Sequence, residues 1–194
     1  MKRICVFCGS SVGARPAYAS AARELASELI RRRLGVVYGG GSIGLMGVLA
    51  DAMLDLGGEV IGVIPRPLAS KELAHTGLAE IRVVESMHER KALMASLADG
   101  FVAMPGGLGT FEETLEILTW SQLGIHRKPI GLLNVEGYYD GLLGMIAHAL
   151  AEGFVPHEYR ELSVSAATPA RLLDLMQSWR PPDFPGRWLN LAQT

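Results

Sequence analysis

Short apolar runs and longer amphipathic stretches alternate along this chain almost without interruption. Strand-length runs fall at 2–7, 35–38, 59–64, 80–84, 100–104, 129–133 and 161–165. Between them, apolar residues recur at helical spacing over 16–33, 44–56, 86–98, 110–123, 138–151 and 169–179. Several strands are apolar at nearly every position, as in Val60-Ile61-Gly62-Val63-Ile64 and Ile130-Gly131-Leu132-Leu133. Such strands are covered on both faces, which marks a parallel sheet. Right-handed crossovers then give an α/β fold, a Rossmann-like three-layer sandwich with a central parallel sheet. The stretch Pro65–Ala79 breaks the rhythm and reads either as a lid or partner-contact loop or as an ordinary surface loop. The 194 residues suit one domain over 1–180, followed by a non-helical tail over 181–194 that opens Pro181-Pro182-Asp183-Phe184-Pro185-Gly186.

Three predicted strands end in small-residue turns. The first is Cys8-Gly9-Ser10-Ser11, the second Gly39-Gly40-Gly41-Ser42-Ile43-Gly44, and the third Pro105-Gly106-Gly107-Leu108-Gly109-Thr110. Strand C-termini of a parallel sheet share one edge, and ligands bind in the crevice there. Glycine turns that open helices let backbone N–H groups approach an anion, and the helix dipole favours negative charge at that point. The three turns therefore compose one anion site, with a phosphate cradle at the third. Neither a dinucleotide fingerprint nor a nucleotide-triphosphatase loop is present.

Composition narrows the partners. A formal charge of −2 gives no global attraction to nucleic acid or anionic membrane. No apolar stretch approaches the ~20 residues that span a bilayer, and no signal-peptide core is visible, so the expected location is cytoplasmic. The run Arg31-Arg32-Arg33 closes a helix and reads as a solvated end. Cys5 and Cys8 have C-x-x-C spacing but sit in a predicted strand, where positions three apart face opposite sides. They read as two buried thiols. The five histidines show no metal spacing, so neither metal nor organic cofactor is expected.

Two charged residues stand out beside the turns. Glu113 lies just inside the helix opened by the third turn, where a pure phosphate cradle has no need of a carboxylate. It has a structural rival: Thr110-Phe111-Glu112-Glu113 also fits a capping box with Thr110 as N-cap. Arg90 falls on an apolar stripe with Met87, Met94 and Leu97, on a helix that Ser86-Met87-His88-Glu89 caps. A guanidinium there either snorkels or meets an anion. Lys91 reads as a rim residue.

At these residues the chain resembles the LOG (Lonely Guy) family of cytokinin riboside 5′-monophosphate phosphoribohydrolases. The signature P-G-G-x-G-T-x-x-E is met by Pro105, Gly106, Gly107, Gly109, Thr110 and Glu113, and the arginine–lysine motif by Met87-His88-Glu89-Arg90-Lys91. The opening Val6-Phe7-Cys8-Gly9-Ser10-Ser11 and the turn at Gly39–Gly47 match as well, and the resemblance runs to about Leu143. It implies a homodimer that hydrolyses the N-glycosidic bond of AMP and N6-substituted AMP without a cofactor, giving base and ribose 5-phosphate. It implies Arg90 and Glu113 as catalytic, and Ser10, Gly41, Gly44, Met87, Lys91, Gly106, Gly107, Gly109 and Thr110 as substrate-binding. An apolar helix, Leu142-Leu143-Gly144-Met145-Ile146-Ala147, fits the expected dimer. Chains of this kind are often labelled lysine decarboxylases, but none of Lys2, Lys71, Lys91 and Lys128 sits in a recognisable pyridoxal phosphate setting. The rival from another class is a non-catalytic nucleotide-binding or carrier protein of the same fold.

Overall fold

The computed structural model describes residues 1–69 and 74–182. The apolar runs form seven strands: β1 (Arg3–Phe7), β2 (Gly35–Tyr38), β3 (Val60–Pro65), β4 (Glu80–Val84), β5 (Gly100–Ala103), β6 (Ile130–Leu133) and β7 (Val164–Ala166). They pair in parallel throughout, in the order β4-β3-β2-β1-β5-β6-β7. The helices are α1 (Pro16–Arg31), α2 (Gly44–Asp55), the single turn α3 (Arg66–Leu68), α4 (Met87–Leu97), α5 (Leu108–Gln122), α6 (Asp140–Ala151) and α7 (Pro169–Ser178). Strand order reverses at β1 and β5. The crevice of an open parallel sheet lies at such a reversal, beyond the strand C-termini.

The alternation along each strand assigns the two faces. Ile4, Val6, Val36 and Tyr38 join the core against α1, α2 and α7, whereas Cys5, Phe7, Val37, Ile61 and Phe101 join Met94 of α4 and Ile117 of α5. Cys5 and Cys8 fall in these opposite clusters and are free buried thiols.

The structure departs from the sequence reading at three places in the fold. A 3-10 turn occupies His157–Glu161, so the last strand begins at Val164, where it pairs with Gly131. Helix α5 starts at Leu108 with Gly107 as its N-cap and no side-chain cap. The basic run is a solvated end only in part: Arg31 and Arg33 are exposed, but Arg32 is largely buried and bridges Glu28 and Asp174 at 2.7 Å each, tying α1 to α7. The lid reading of Pro65–Ala79 falls partly on 70–73, outside the described residues. Its flanks form α3 and the bridge from Ala74 to Gly41. The tail beyond Pro182 also lies outside them.

One close approach sets the geometry of the crevice. Gly44 adopts φ +64°, and a Cβ there would stand 2.2 Å from the Ser10 carbonyl carbon. Leu45 N–H donates to Gly9 O at 3.0 Å, so the first turn of α2 is welded to the β1 turn. Gly44→Ala combines left-handed strain with a backbone clash. It should cost about 1–3 kcal/mol in urea unfolding, and an unchanged unfolding midpoint would show that the weld is dispensable.

Candidate active site

Local sequence places each wall of the crevice. Pro105-Gly106-Gly107 turns the chain from β5 into α5, and Gly9 N–H donates to Pro105 O at 3.1 Å, joining the first and third turns across the strand reversal. Because α5 begins at Leu108, the N–H groups of Leu108, Gly109 and Thr110 lie in its first turn without intrahelical partners. A Cβ at Gly107 or Gly109 would meet nothing within 4 Å, so both glycines face open space. At the opposite wall, Ser86 caps α4 by accepting from Glu89 N–H at 3.1 Å, as its sequence predicts. The cap fixes the first turn of α4 beside the end of β3.

From that turn Arg90 reaches under the crevice. Its Nε–H donates to Val63 O at 3.2 Å, and its terminal nitrogen lies 3.5 Å from Glu113 Oε1. The two side chains are 11% and 10% exposed, so this is a nearly buried ion pair at the cavity wall. Gly39 makes room for it: a Cβ there would stand 2.1 Å from the guanidinium. Burial pushes the Glu113 carboxyl above its ordinary value of 4.5, against the pull of Arg90. Cys8 also lines the cavity, and burial holds its thiol protonated.

The cavity is about 430 Å³. Of the expected residues, Ser10, Gly41, Met87, Arg90, Gly107, Gly109, Thr110 and Glu113 line it. Three do not. Gly44 is the weld described above. Gly106 is packed away from the cavity, where a Cβ would overlap the Thr110 hydroxyl at 2.1 Å, and its carbonyl accepts from Tyr138 Oη–H. Lys91 is buried rather than on the rim, with its ammonium between Glu112 and Glu116. Thr110 is likewise not the cap of α5, so Glu113 has no capping-box partner. The sequence reading missed the apolar rim of Ile43, Leu68 and Leu108, each at least a third exposed. Ile43 and Leu108 are the apolar residues set within the glycine turns, which was the available signal; Leu68, in α3, carries none. A second hollow of the same volume sits by Arg31, Arg32 and Asp174, but its arginines are already in ion pairs. Among the described residues, no group of three His, Cys, Asp or Glu is placed to hold a metal ion. No described helix is long and apolar enough to cross a membrane.

Residues 46–176 match a family model described as "Possible lysine decarboxylase". No described lysine lines the cavity, and the ammonium of Lys128 is spent on Ala95 O and Ala98 O. The chain is 52% identical to the cytokinin riboside 5′-monophosphate phosphoribohydrolase LOG2 of Arabidopsis thaliana, over 93% of this chain and 84% of that protein. It is 51% identical to the enzyme LOG of Oryza sativa subsp. japonica, over 93% and 74%. Among solved structures, a molybdenum cofactor binding protein of Rippkaea orientalis superposes with a TM-score of 0.69 at 22% identity, over 92% of this chain and 97% of that one. The carrier protein for the same cofactor from Chlamydomonas reinhardtii also gives 0.69, at 21% identity over 91% and 96%. These two similarities show the fold alone. The sequence relatives and the family model show more: this chain belongs to the LOG family of cytokinin riboside 5′-monophosphate phosphoribohydrolases.

Proposed function

We propose that this protein hydrolyses the N-glycosidic bond of AMP and of N6-substituted, cytokinin-type nucleoside 5′-monophosphates, releasing the free base and ribose 5-phosphate. The observation that carries this reading is the Arg90–Glu113 pair, nearly buried at the wall of a glycine-lined cavity. The 5′-phosphate sits at the N-terminus of α5 on the N–H groups of Leu108, Gly109 and Thr110, with Gly41 and Ser10 across the crevice. That anchor holds the ribose with C1′ toward Glu113. As the C1′–N bond breaks, positive charge grows on the sugar, as in other glycoside hydrolysis. Ionised Glu113 stabilises that charge and takes a proton from the attacking water. The water oxygen ends on C1′ as a hydroxyl that keeps one hydrogen, and the second hydrogen of the water, taken up by Glu113, balances the proton with which the base leaves on its ring nitrogen. Arg90 orients Glu113. The exposed apolar rim of Ile43, Leu68 and Leu108 suits an alkyl group on N6.

The described residues pack on one sheet, in keeping with a single domain over 1–180. We read the active particle as a homodimer. Helix α6 is apolar, yet none of its residues is buried, and Met145 and Phe154 are 73% and 86% exposed. A contiguous face of this kind marks an interface. Two thiols left free fit a reducing, cytoplasmic setting.

Glu113→Gln should lower kcat by roughly 10²-fold or more, while AMP still binds on the backbone cradle and thermal melting stays comparable. A variant with normal turnover would remove Glu113 from the chemistry. In the native enzyme the ionised carboxylate is the active form and burial raises its pKa. The rate should therefore climb with pH through a midpoint above 4.5, and a profile flat down to that value would contradict the assignment. Adenosine should be cleaved far more slowly than AMP, and equal kcat/KM would remove the phosphate anchor. Light scattering at assay concentration should show two chains, and a fully active monomer would refute the dimer.

A further inference from the structure

Two adjacent cations on α4 face three carboxylates on α5. Arg90 takes Glu113, and the next residue, Lys91, takes Glu112 and Glu116. Lys91 is 7% exposed, its Nζ lies 2.9 Å from Glu116 Oε1, and it also donates to Glu112. A buried ammonium is costly unless it is paired and hydrogen-bonded. Burial alone would lower its pKa, but the two carboxylates more than offset that and raise it, so Lys91 stays charged. Its amine is fully engaged inside the protein and does not line the cavity.

We propose that Lys91 is a positioning residue rather than a ligand for the substrate: its ammonium clamps α5 to α4 through Glu112 and Glu116 and cancels their charge beside Glu113. The inference rests on the catalytic role given above to Glu113. Glu112 and Glu116 stand one turn apart on one side of α5, and Glu113 shares that segment. The groups that act on Glu113 are Arg90 and Lys91 from α4, Glu112 and Glu116 from its own helix, and the protonated thiols of Cys5 in β1 and Cys8 just beyond it. Glu112 and Glu116 push the Glu113 carboxyl up, and Lys91 pulls it down. The second oxygen of Glu116 is buried without a hydrogen-bond partner among the described residues. Without Lys91, that charge would be left unbalanced next to the reaction centre. The clamp also matters for distance. Arg90 and Lys91 are consecutive, so a register of α4 on α5 that satisfies Lys91 also brings Arg90 to Glu113.

The test is the pH profile of kcat for AMP in Lys91→Met, an apolar replacement of similar length, run beside wild type and Glu113→Gln. The acid limb should move to higher pH, with kcat on that limb falling several-fold and KM within about twofold. Adding Glu116→Gln to that variant removes one uncompensated charge and should bring the limb back. Glu116→Gln alone should move it below wild type, and this variant carries the test if Lys91→Met does not fold. An unmoved acid limb in all three variants overturns the clamp. So does a rise in KM at unchanged limb position, which would make Lys91 a substrate contact. Either result leaves the proposed reaction standing as long as wild type is active and Glu113→Gln is not. Loss of the reaction itself is read from those two proteins alone.

Discussion

Arg90 and Glu113 are held 3.5 Å apart with almost no access to water, and most of the surrounding structure serves that arrangement. Neither charge tolerates burial alone. The guanidinium therefore takes a second partner in Val63 O, the last part of β3 before its turn. The carboxylate sits in the first turns of α5, where the N-terminal dipole favours an anion. Pairing across two helices requires α4 and α5 to lie on the same face of the sheet. Their core residues Met94 and Ile117 do so, packed on Phe7, Val37 and Phe101.

The glycines of the three turns divide into two kinds of work. Gly44 and Gly106 are closed positions, where a Cβ would strike Ser10 or Thr110, and they weld the turns to one another. Gly107 and Gly109 are open positions, where the missing side chain leaves a clear path from cavity to backbone N–H. Gly39 belongs to a third case, since its absent side chain is the seat of Arg90. A glycine-rich signature thus records backbone packing and side-chain clearance as well as anion binding.

The layered fold was legible because both faces of each strand are covered, so the hydrophobic runs in β2, β3 and β6 are continuous. The strand start at Val164 was not, because the buried, apolar Leu162 just before it extends the apolar run past the true strand. The Ser86 cap was legible from local chemistry. The Thr110 cap was a false reading, because Gly107 already had the extended backbone an N-cap needs and started the helix earlier. Most of the cavity wall followed from motif position. Lys91 did not, since its burial depends on Glu112 and Glu116, more than twenty residues away on another helix. Helical periodicity alone cannot register such a tertiary pairing.

The same fold carries a cofactor-binding protein at 22% identity, so the sandwich itself does not choose between holding a ligand and cutting it. The choice lies in the charged pair at the cavity wall. The most direct measurement is incubation of N6-isopentenyl-AMP with the enzyme in ¹⁸O-labelled water, with all products weighed by mass spectrometry. The account predicts equal amounts of free base and ribose 5-phosphate, with one labelled oxygen on the sugar carbon C1′. Nucleotide recovered intact, or label found in released phosphate, would contradict it.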